Sequence, residues 1–430
     1  MTVWEWLQRT HYSLKRKLFL MRLAASMDWD NPDRSIQSFL KDESYPEYKA
    51  PRMINARNDE FKVFAGPLAK AIEDMVYLLP CFVKHVAVAL RPAYVMNMLE
   101  TFGNCFTMLQ MACPCSLDYY VTDHSRFECH MTTAIMQAVE LRVYRYLLAR
   151  IASPREIDLF CSIAQDNRFG NPYLHGKRPA GRMSGDMVTS VGNGLTNLVV
   201  ASYILKSRSI PFSMVVEGDD GLFCVPHGTE IKAEWYEQLG FAIKLKQVRE
   251  PGDSGFCGME FVDDHGILQT IVEPFSTLAD MIWTEVNTPL EALSRIRATA
   301  LSMICEYPSC PVVTEYAKYI LRTTPRLELK ARKDWYTQHI LRSNSIDFTV
   351  DDGGLRIHSW KHLLDRCTPP TGKTRTEFHN RYGISEPLQI RFEQWCRSSP
   401  LTEFEDSPLA SWIPPATMEH AYQHVVASGS

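Results

Sequence analysis

Gly218, Asp219 and Asp220 sit between two β-rich runs in PFSMVVEGDDGLFCVP, the pattern of a hairpin that carries acids at its tip. Two adjacent carboxylates repel one another unless a cation lies between or beside them. A third acid, Asp123, ends the short strand-like run Tyr119 to Thr122 in SLDYYVTDHSRFECH, and Glu128 follows it at the start of a helical pattern. An acid at a strand end projects into whatever cleft the sheet opens upon. Asp123, Asp219 and Asp220 together would complete a site for two magnesium ions, which take oxygen ligands and commonly bridge phosphates. Gly and Asp are also ordinary turn residues. Asp123 and Glu128 would serve equally as a helix cap and a first-turn acid, so these segments alone leave a structural role open.

A second set of polar groups lies in GRMSGDMVTSVGNGLTNLVVASYILKS. Met187, Val191, Leu195 and Leu198 form an apolar helical stripe, while Thr189, Asn193 and Asn197 stack at four-residue spacing elsewhere on the helix. Gly192 and Gly194 each cost a helix about 1 kcal/mol relative to alanine, which points to close backbone approach there. The alternative is a polar stripe facing water, although exposed helix faces usually carry Lys and Glu. Asn can hydrogen-bond a ribose hydroxyl, and Ser184 with Gly185 makes a flexible loop ahead of the helix.

Nearer the N-terminus, FLKDESYPEYKAPRMINAR places Lys41, Lys49, Arg52 and Arg57 around Pro51, with Met53 and Ile54 as anchors of an extended strand. Such cations could line a phosphate channel and neutralise a triphosphate or a departing pyrophosphate; a solvated charge run is the plainer reading of each. A second basic window, Arg322 to Arg342 with Trp335 and Tyr336, suits either a nucleic-acid backbone or a solvated helix surface.

These groups need elements to hold them. A chain of 430 residues at 45% hydrophobic and 22% charged can bury a large core and exceeds the usual single domain, so two or three subdomains around a cleft are expected. The net charge of −4 argues against a wholesale nucleic-acid coat and for a local basic channel. Between Lys41 and Glu260, short apolar runs ending in acids alternate with helical periodicity, as in a mixed sheet-and-helix domain. Met131, Ile135, Val139, Val143 and Leu147 mark the buried face of one long helix, and beyond Val262 the pattern turns helical and polar. Twelve scattered cysteines, with only Cys113 and Cys115 and the pair Cys305 and Cys310 close together, read as reduced thiols. The most apolar window, Met75 to Leu90, is broken by Pro80, Lys84 and His85, and the N-terminus lacks a signal-peptide core. A soluble intracellular chain is expected, with membrane attachment through a partner left open.

In order along the chain, KAPRMINAR, DHSRFECH, RMSGDMVTSVGN, VVEGDDGLF, GFAIK and GFCGMEF resemble the polymerase motifs of positive-strand RNA viruses, most closely those of tombusvirus-like replicases. The resemblance implies an α+β right hand with an antiparallel-sheet palm, fingers and a mostly helical thumb. Residues 1–110 would be the first part of the fingers, 111–130 palm, 131–180 a fingers insertion and palm helix, 181–265 palm and 266–430 thumb. It implies RNA-dependent RNA synthesis, with Asp123 and Asp219 carrying two Mg2+ ions that Mn2+ could replace, and Asp220 supporting them. Lys49, Arg52 and Arg57 would bind the incoming NTP. Lys244, with Lys246 as competitor, would give a proton to pyrophosphate. Glu128, Ser184, Gly185, Thr189 and Asn193 would sense the ribose. The family usually has Asp where Glu128 stands, and the added methylene, about 1.5 Å of reach, puts ribose selection in doubt. The implied partners are RNA template, nascent RNA and NTPs, with other replicase or host membrane factors, in the host cytoplasm. A reverse transcriptase usually blocks the 2′-hydroxyl with a bulky side chain, which the Ser, Thr and Asn row speaks against. A non-catalytic RNA-binding relic would tolerate loss of the acids. A metal-dependent nuclease leaves the basic segment and the ribose-sensing helix unexplained.

Overall fold

The computed structural model describes residues 1–10, 12–41, 52–100, 117–163, 165–282, 289–324, 330–331, 347–351, 354–359, 361–400 and 407–409. Its contacts divide into two units, Met1–His85 with Tyr94–Cys257, and Val86–Ala93 with Gly258–Ser430. Each mixes helices with mainly antiparallel sheet.

The first unit carries strands β1 (Ser35–Leu40), β2 (Met53–Arg57), β3 (Leu117–His124), β4 (Asp166–Gly170), β5 (His175–Pro179), β6 (Ser213–Glu217), β7 (Asp220–Pro226) and β8 (Ile243–Val248). They form two four-stranded sheets, ordered β2-β1-β4-β5 and β6-β7-β3-β8. The second is antiparallel throughout. In β3 the alternation required of a strand is visible, with Tyr120, Thr122 and His124 buried and Asp123 exposed between them. Strands β6 and β7 are instead continuous apolar runs, Met214 to Val216 and Leu222 to Val225, and every one of these residues is buried. Tyr120 stacks on Phe223 across the β3–β7 pair at a ring-centroid distance of 5.6 Å.

The helix Thr189–Lys206 is buried on nearly all sides between Val191 and Leu205, and its polar residues go inward with the rest: Asn193, Thr196 and Asn197 are buried. Its stripe of amides therefore does not face water.

The expected long helix over residues 131–147 is two helices, Thr133–Ala138 and Glu140–Leu148. The break falls at Val139, whose φ of −111° and ψ of −87° are not helical. Periodicity alone cannot register such a break, because the apolar spacing continues across it. The restart puts Glu140, with no exposed surface, in the first turn of the second helix, where the helix dipole favours an acid.

The second unit holds the hairpin of β9 (Glu260–Asp264) and β10 (Ile267–Ile271) and the helices Pro274–Ile282, Pro289–Glu306, Val313–Thr323, Gly372–Tyr382 and Glu386–Ser398. Leu301, Ile304, Val313, Ala317, Phe378 and Phe392 are among its core residues. The expectation of a mostly helical last third needs an addition, because Lys330–Ala331, Asp347–Asp351 and Gly354–Ser359 form a three-stranded antiparallel sheet. Its signal was present in DFTVDDGGLRIHS, where alternating apolar residues flank Asp-Gly-Gly. The second basic window lies largely outside the described residues.

Candidate active site

Strand β3 is held between β7 and β8 in a register that decides what meets Asp123. Thr122 pairs with Gly221 on one side, and Asp123 pairs with Lys244 on the other. Across β6 and β7, Glu217 pairs with Asp220, leaving Gly218 and Asp219 as a two-residue turn. Gly218 has a φ of 62°, and a Cβ there would meet nothing within 4 Å. Backbone conformation rather than space therefore calls for glycine. Asp123, Asp219 and Asp220 thus gather at one end of the sheet.

These acids sense one another. Burial raises the pKa of Asp219, the charges of Glu128 and Asp123 raise it further, and the nearby Asn193 amide opposes them. Asp220 keeps an open face to solvent, yet its carboxyl is recessed among protein atoms and pushed up to about 6, by burial first and then by Asp219, Glu217 and Asp123. An oxygen-only donor set in mutual repulsion is what a hard divalent cation relieves. Among the described residues no three His, Cys, Asp or Glu side chains form a ready metal cluster. Magnesium keeps several waters and uses one or two carboxylates together with phosphate oxygens, so an open group of acids fits it better than a closed cage would.

The amide row reaches this centre. Asn197 donates through Nδ2 to the Asp219 carbonyl at 2.8 Å, and Asn193, one turn earlier on the same helix, helps to hold down the pKa of the Asp219 carboxyl. Thr189 does something else: its hydroxyl donates to the carbonyls of Met183, at 3.0 Å, and Asp186, at 2.8 Å, and so ties the incoming loop to the helix. Ser184 Oγ donates to the Met53 carbonyl at 2.9 Å, and Gly185 bridges Ala56 of β2 so closely that a Cβ would sit 2.6 Å from the Asn55 carbonyl oxygen. Glu128 is half-buried in the 3-10 turn Phe127–His130, within electrostatic reach of Asp219.

The predicted phosphate-binding cations do not stay together. Arg52 is exposed just ahead of β2, and Lys49 lies outside the described residues. Arg57 is buried: Nε pairs with Asp186 Oδ1 at 2.6 Å, Nη2 donates to Asn167 Oδ1 at 2.5 Å, and the guanidinium lies over the Phe61 ring. It differs in this from a cation lining an open channel. Lys244 and Lys246 are both exposed on β8, opposite Asp123 and Val121 respectively.

His124, next to Asp123, points the opposite way, into Phe127, Phe241 and Tyr236, with Nε2 facing Asn197 Oδ1 at 3.4 Å. Burial pushes its pKa down to about 4, from about 6.5 in an unfolded chain. The folded state keeps it neutral while the unfolded chain takes up the proton. Its contribution is complete above about pH 6.5 and is lost as pH falls towards 4, at a total of about 3 kcal/mol. Urea unfolding at pH 7 and pH 4 checks this: His124→Phe should flatten the acid-side slope by about one proton, and an unchanged slope would remove His124 from the account.

The comparisons with known proteins now bear on this geometry. The model of the viral RNA dependent RNA polymerase family matches residues 20–402. The chain belongs to that family. Its similarities include RNA-directed RNA polymerases of Groundnut rosette virus (strain MC1), 24% identical over 387 residues covering 84% of this chain and 42% of that protein. The enzyme of Carnation mottle virus is 23% identical over 402 residues, covering 89% and 49%. That of Maize chlorotic mottle virus is 24% identical over 308 residues, covering 66% and 30%. The chain spans less than half the length of each of these relatives.

In this member of the viral polymerase family, sequence reasoning left four charged groups without a role. Glu217 adds a fourth acid beside Asp220, and Asp186 holds Arg57. Arg182 and Glu140 form a buried ion pair. Arg182 and Asp186 both flank Ser184-Gly185, and their closeness to so small a loop was the available signal. Glu140 offered none, since a charged residue beside an apolar stripe reads as solvent-facing. Among the described residues, no helix is long and apolar enough to cross a membrane.

Proposed function

We propose that this chain is an RNA-dependent RNA polymerase that adds nucleotides from NTPs to an RNA 3′-hydroxyl by a two-metal reaction, replicating a viral RNA genome. The observation that carries the proposal is the meeting of Asp123, from the end of β3, with Asp219 and Asp220 of the β6–β7 turn, while Asn197 holds the Asp219 carbonyl from the helix behind.

In this reading the β6-β7-β3-β8 sheet is the palm, the β2-β1-β4-β5 sheet belongs to the fingers, and the segment from residue 266 is the thumb. Asp123 and Asp219 would hold two Mg2+ ions, with Asp220 in support. When bound, the ions supply a more acidic RNA 3′-hydroxyl and charge stabilisation for the departing pyrophosphate. The protein's own groups do the rest. Lys49 and Arg52 draw the triphosphate in and offset its charge, and Arg57, buried against Asp186, steadies the β2 edge on which the Ser184-Gly185 loop rests. Lys244, exposed opposite Asp123, gives a proton to pyrophosphate. Asn193, with Glu128, recognises the ribose, while Ser184 and Thr189, whose hydroxyls are given to backbone carbonyls, hold the loop ahead of that helix in place. Glu128, whose charge raises the pKa of Asp219, reaches that network through an adjusted backbone or a water despite its extra methylene. RNA template, nascent RNA and NTPs are the partners, in the host cytoplasm with other replicase or membrane factors.

The test is extension of a labelled primer on an RNA template with Mg2+, using ribonucleotides or deoxynucleotides, repeated with Mn2+ and without primer. Ribonucleotide-dependent product is expected. Preference for deoxynucleotides would favour the reverse-transcriptase reading, and no product in any arm would leave an RNA-binding protein without catalysis.

A further inference from the structure

The Arg182–Glu140 pair is the most deeply buried pair of opposite charges in the first unit among the described residues, with side-chain exposures of 1% and 0%. Removing two charges from water costs several kcal/mol per ion, and an apolar pair of like volume often does as well or better. Stability alone is therefore a poor reason for it. The chain also gives way to it locally. A Cβ at Gly192 would overlap Arg182 Nη2, Glu140 Oε2 and Tyr144 Oη, and the helix break at Val139 is what delivers Glu140 to this place.

What the pair faces is Asn193. Arg182 donates from Nη2 to Glu140 Oε2, and from Nε to Asn193 Oδ1 at 3.1 Å; Tyr144 donates its hydroxyl to the same Glu140 oxygen at 3.1 Å. An asparagine amide has an acceptor end and a donor end. With Oδ1 taken by the guanidinium, only Nδ2 is left to serve the Asp219 side of the helix, where Asn197, one turn on, donates to the Asp219 carbonyl. A flipped amide would set donor against guanidinium in a buried place and turn an oxygen, not a donor, towards the acids.

We propose that Arg182, clamped by Glu140 and Tyr144, is a positioning residue that fixes the donor end of Asn193 towards the Asp219 side of the site and thereby sets discrimination between ribose and deoxyribose. The proposal rests on the polymerase reading. Its own content is that sugar choice depends on a buried charge pair that touches neither substrate nor metal.

Two readouts keep the two readings apart. In the first, the ratio of kcat/KM for a ribonucleotide to that for its deoxy analogue is measured for wild type, R182K, E140Q, N193A and R182K/N193A. R182K and N193A should each lower the ratio about 10- to 100-fold, mainly through KM for the ribonucleotide, and the double variant should fall no further than N193A alone. A merely structural Arg182 would slow both sugars alike and leave the ratio unchanged, or would add to N193A in the double variant; either result overturns the proposal. E140Q keeps shape while removing the clamp's charge, and should fall between wild type and R182K if R182K folds poorly. The second readout needs no catalysis: in protein labelled with 15N-asparagine, the Asn193 side-chain amide, assigned by its absence in N193A, should exchange slowly in wild type and fast in R182K and E140Q. Equal exchange in all three sinks the positioning role even in an active polymerase. A protected wild-type amide in a protein that makes no product overturns the sugar-discrimination claim together with the polymerase reading, and leaves the clamp itself standing.

Discussion

Asp219→Asn should abolish nucleotide addition, by about a thousandfold or more, and at the same time raise the thermal midpoint of the protein in chelator. The first effect follows from removing a charge that would hold a catalytic cation, a loss at least as large as that of one preorganised donor to a transition state. The second follows from the acids themselves. Burial, Glu128 and Asp123 all raise the Asp219 pKa, so the folded state binds its proton more tightly than the unfolded chain does. For a carboxyl with a raised folded pKa, stability falls as pH rises from the unfolded value towards the folded one, and the cost persists above it. For Asp220 that window runs from about 4 to about 6. At neutral pH the charged cluster therefore works against the fold, and a neutral isostere relieves it. Added Mg2+ should raise the wild-type midpoint at pH 7.5 and should do so far less in the variant. Differential scanning fluorimetry with and without Mg2+, beside primer extension, measures both. Retained activity, or a midpoint lowered by the substitution, would remove Asp219 from the centre of the mechanism.

Arg57→Met should destabilise the protein by about 3–5 kcal/mol, because it strands the buried Asp186 carboxylate without its guanidinium. A second change, Asp186→Leu, should recover most of that loss, since an apolar pair pays no desolvation cost for charge. Arg52→Ala, by contrast, removes an exposed cation and should leave stability within about 0.5 kcal/mol while raising KM for NTPs. Urea denaturation of the single and double variants separates the roles. If Arg57→Met leaves stability unchanged and raises KM alone, Arg57 binds triphosphate as its neighbours were expected to, and its tie to Asp186 is incidental.

The two arginines show why the site was only half legible. Arg57 and Arg52 look equivalent in APRMINAR, two cations on an extended segment. One becomes buried because Asp186, 129 residues away, lies opposite it, and the other stays at the surface. Arg182 meets Glu140 across 42 residues, through a helix break that the apolar spacing conceals. A charged side chain carries no local mark of whether it will be exposed or buried.

The acids were a different matter. Asp219 and Asp220 are neighbours by covalent bond, Gly218 permits the turn by its own conformational freedom, and the apolar runs on either side are strands by composition, so the hairpin with acids at its tip was written into sixteen consecutive residues, PFSMVVEGDDGLFCVP. The amide row was likewise legible as a row, since helical periodicity is local. Only the tertiary structure decided that Asp123 arrives beside that turn, that Arg182 takes the acceptor end of Asn193, and that Arg57 is withdrawn into the protein. The sequence by itself determined what each short segment can do, because bond geometry and backbone preference act over a few residues. Register and burial decided which of those groups meet, because they depend on packing between segments far apart in the chain.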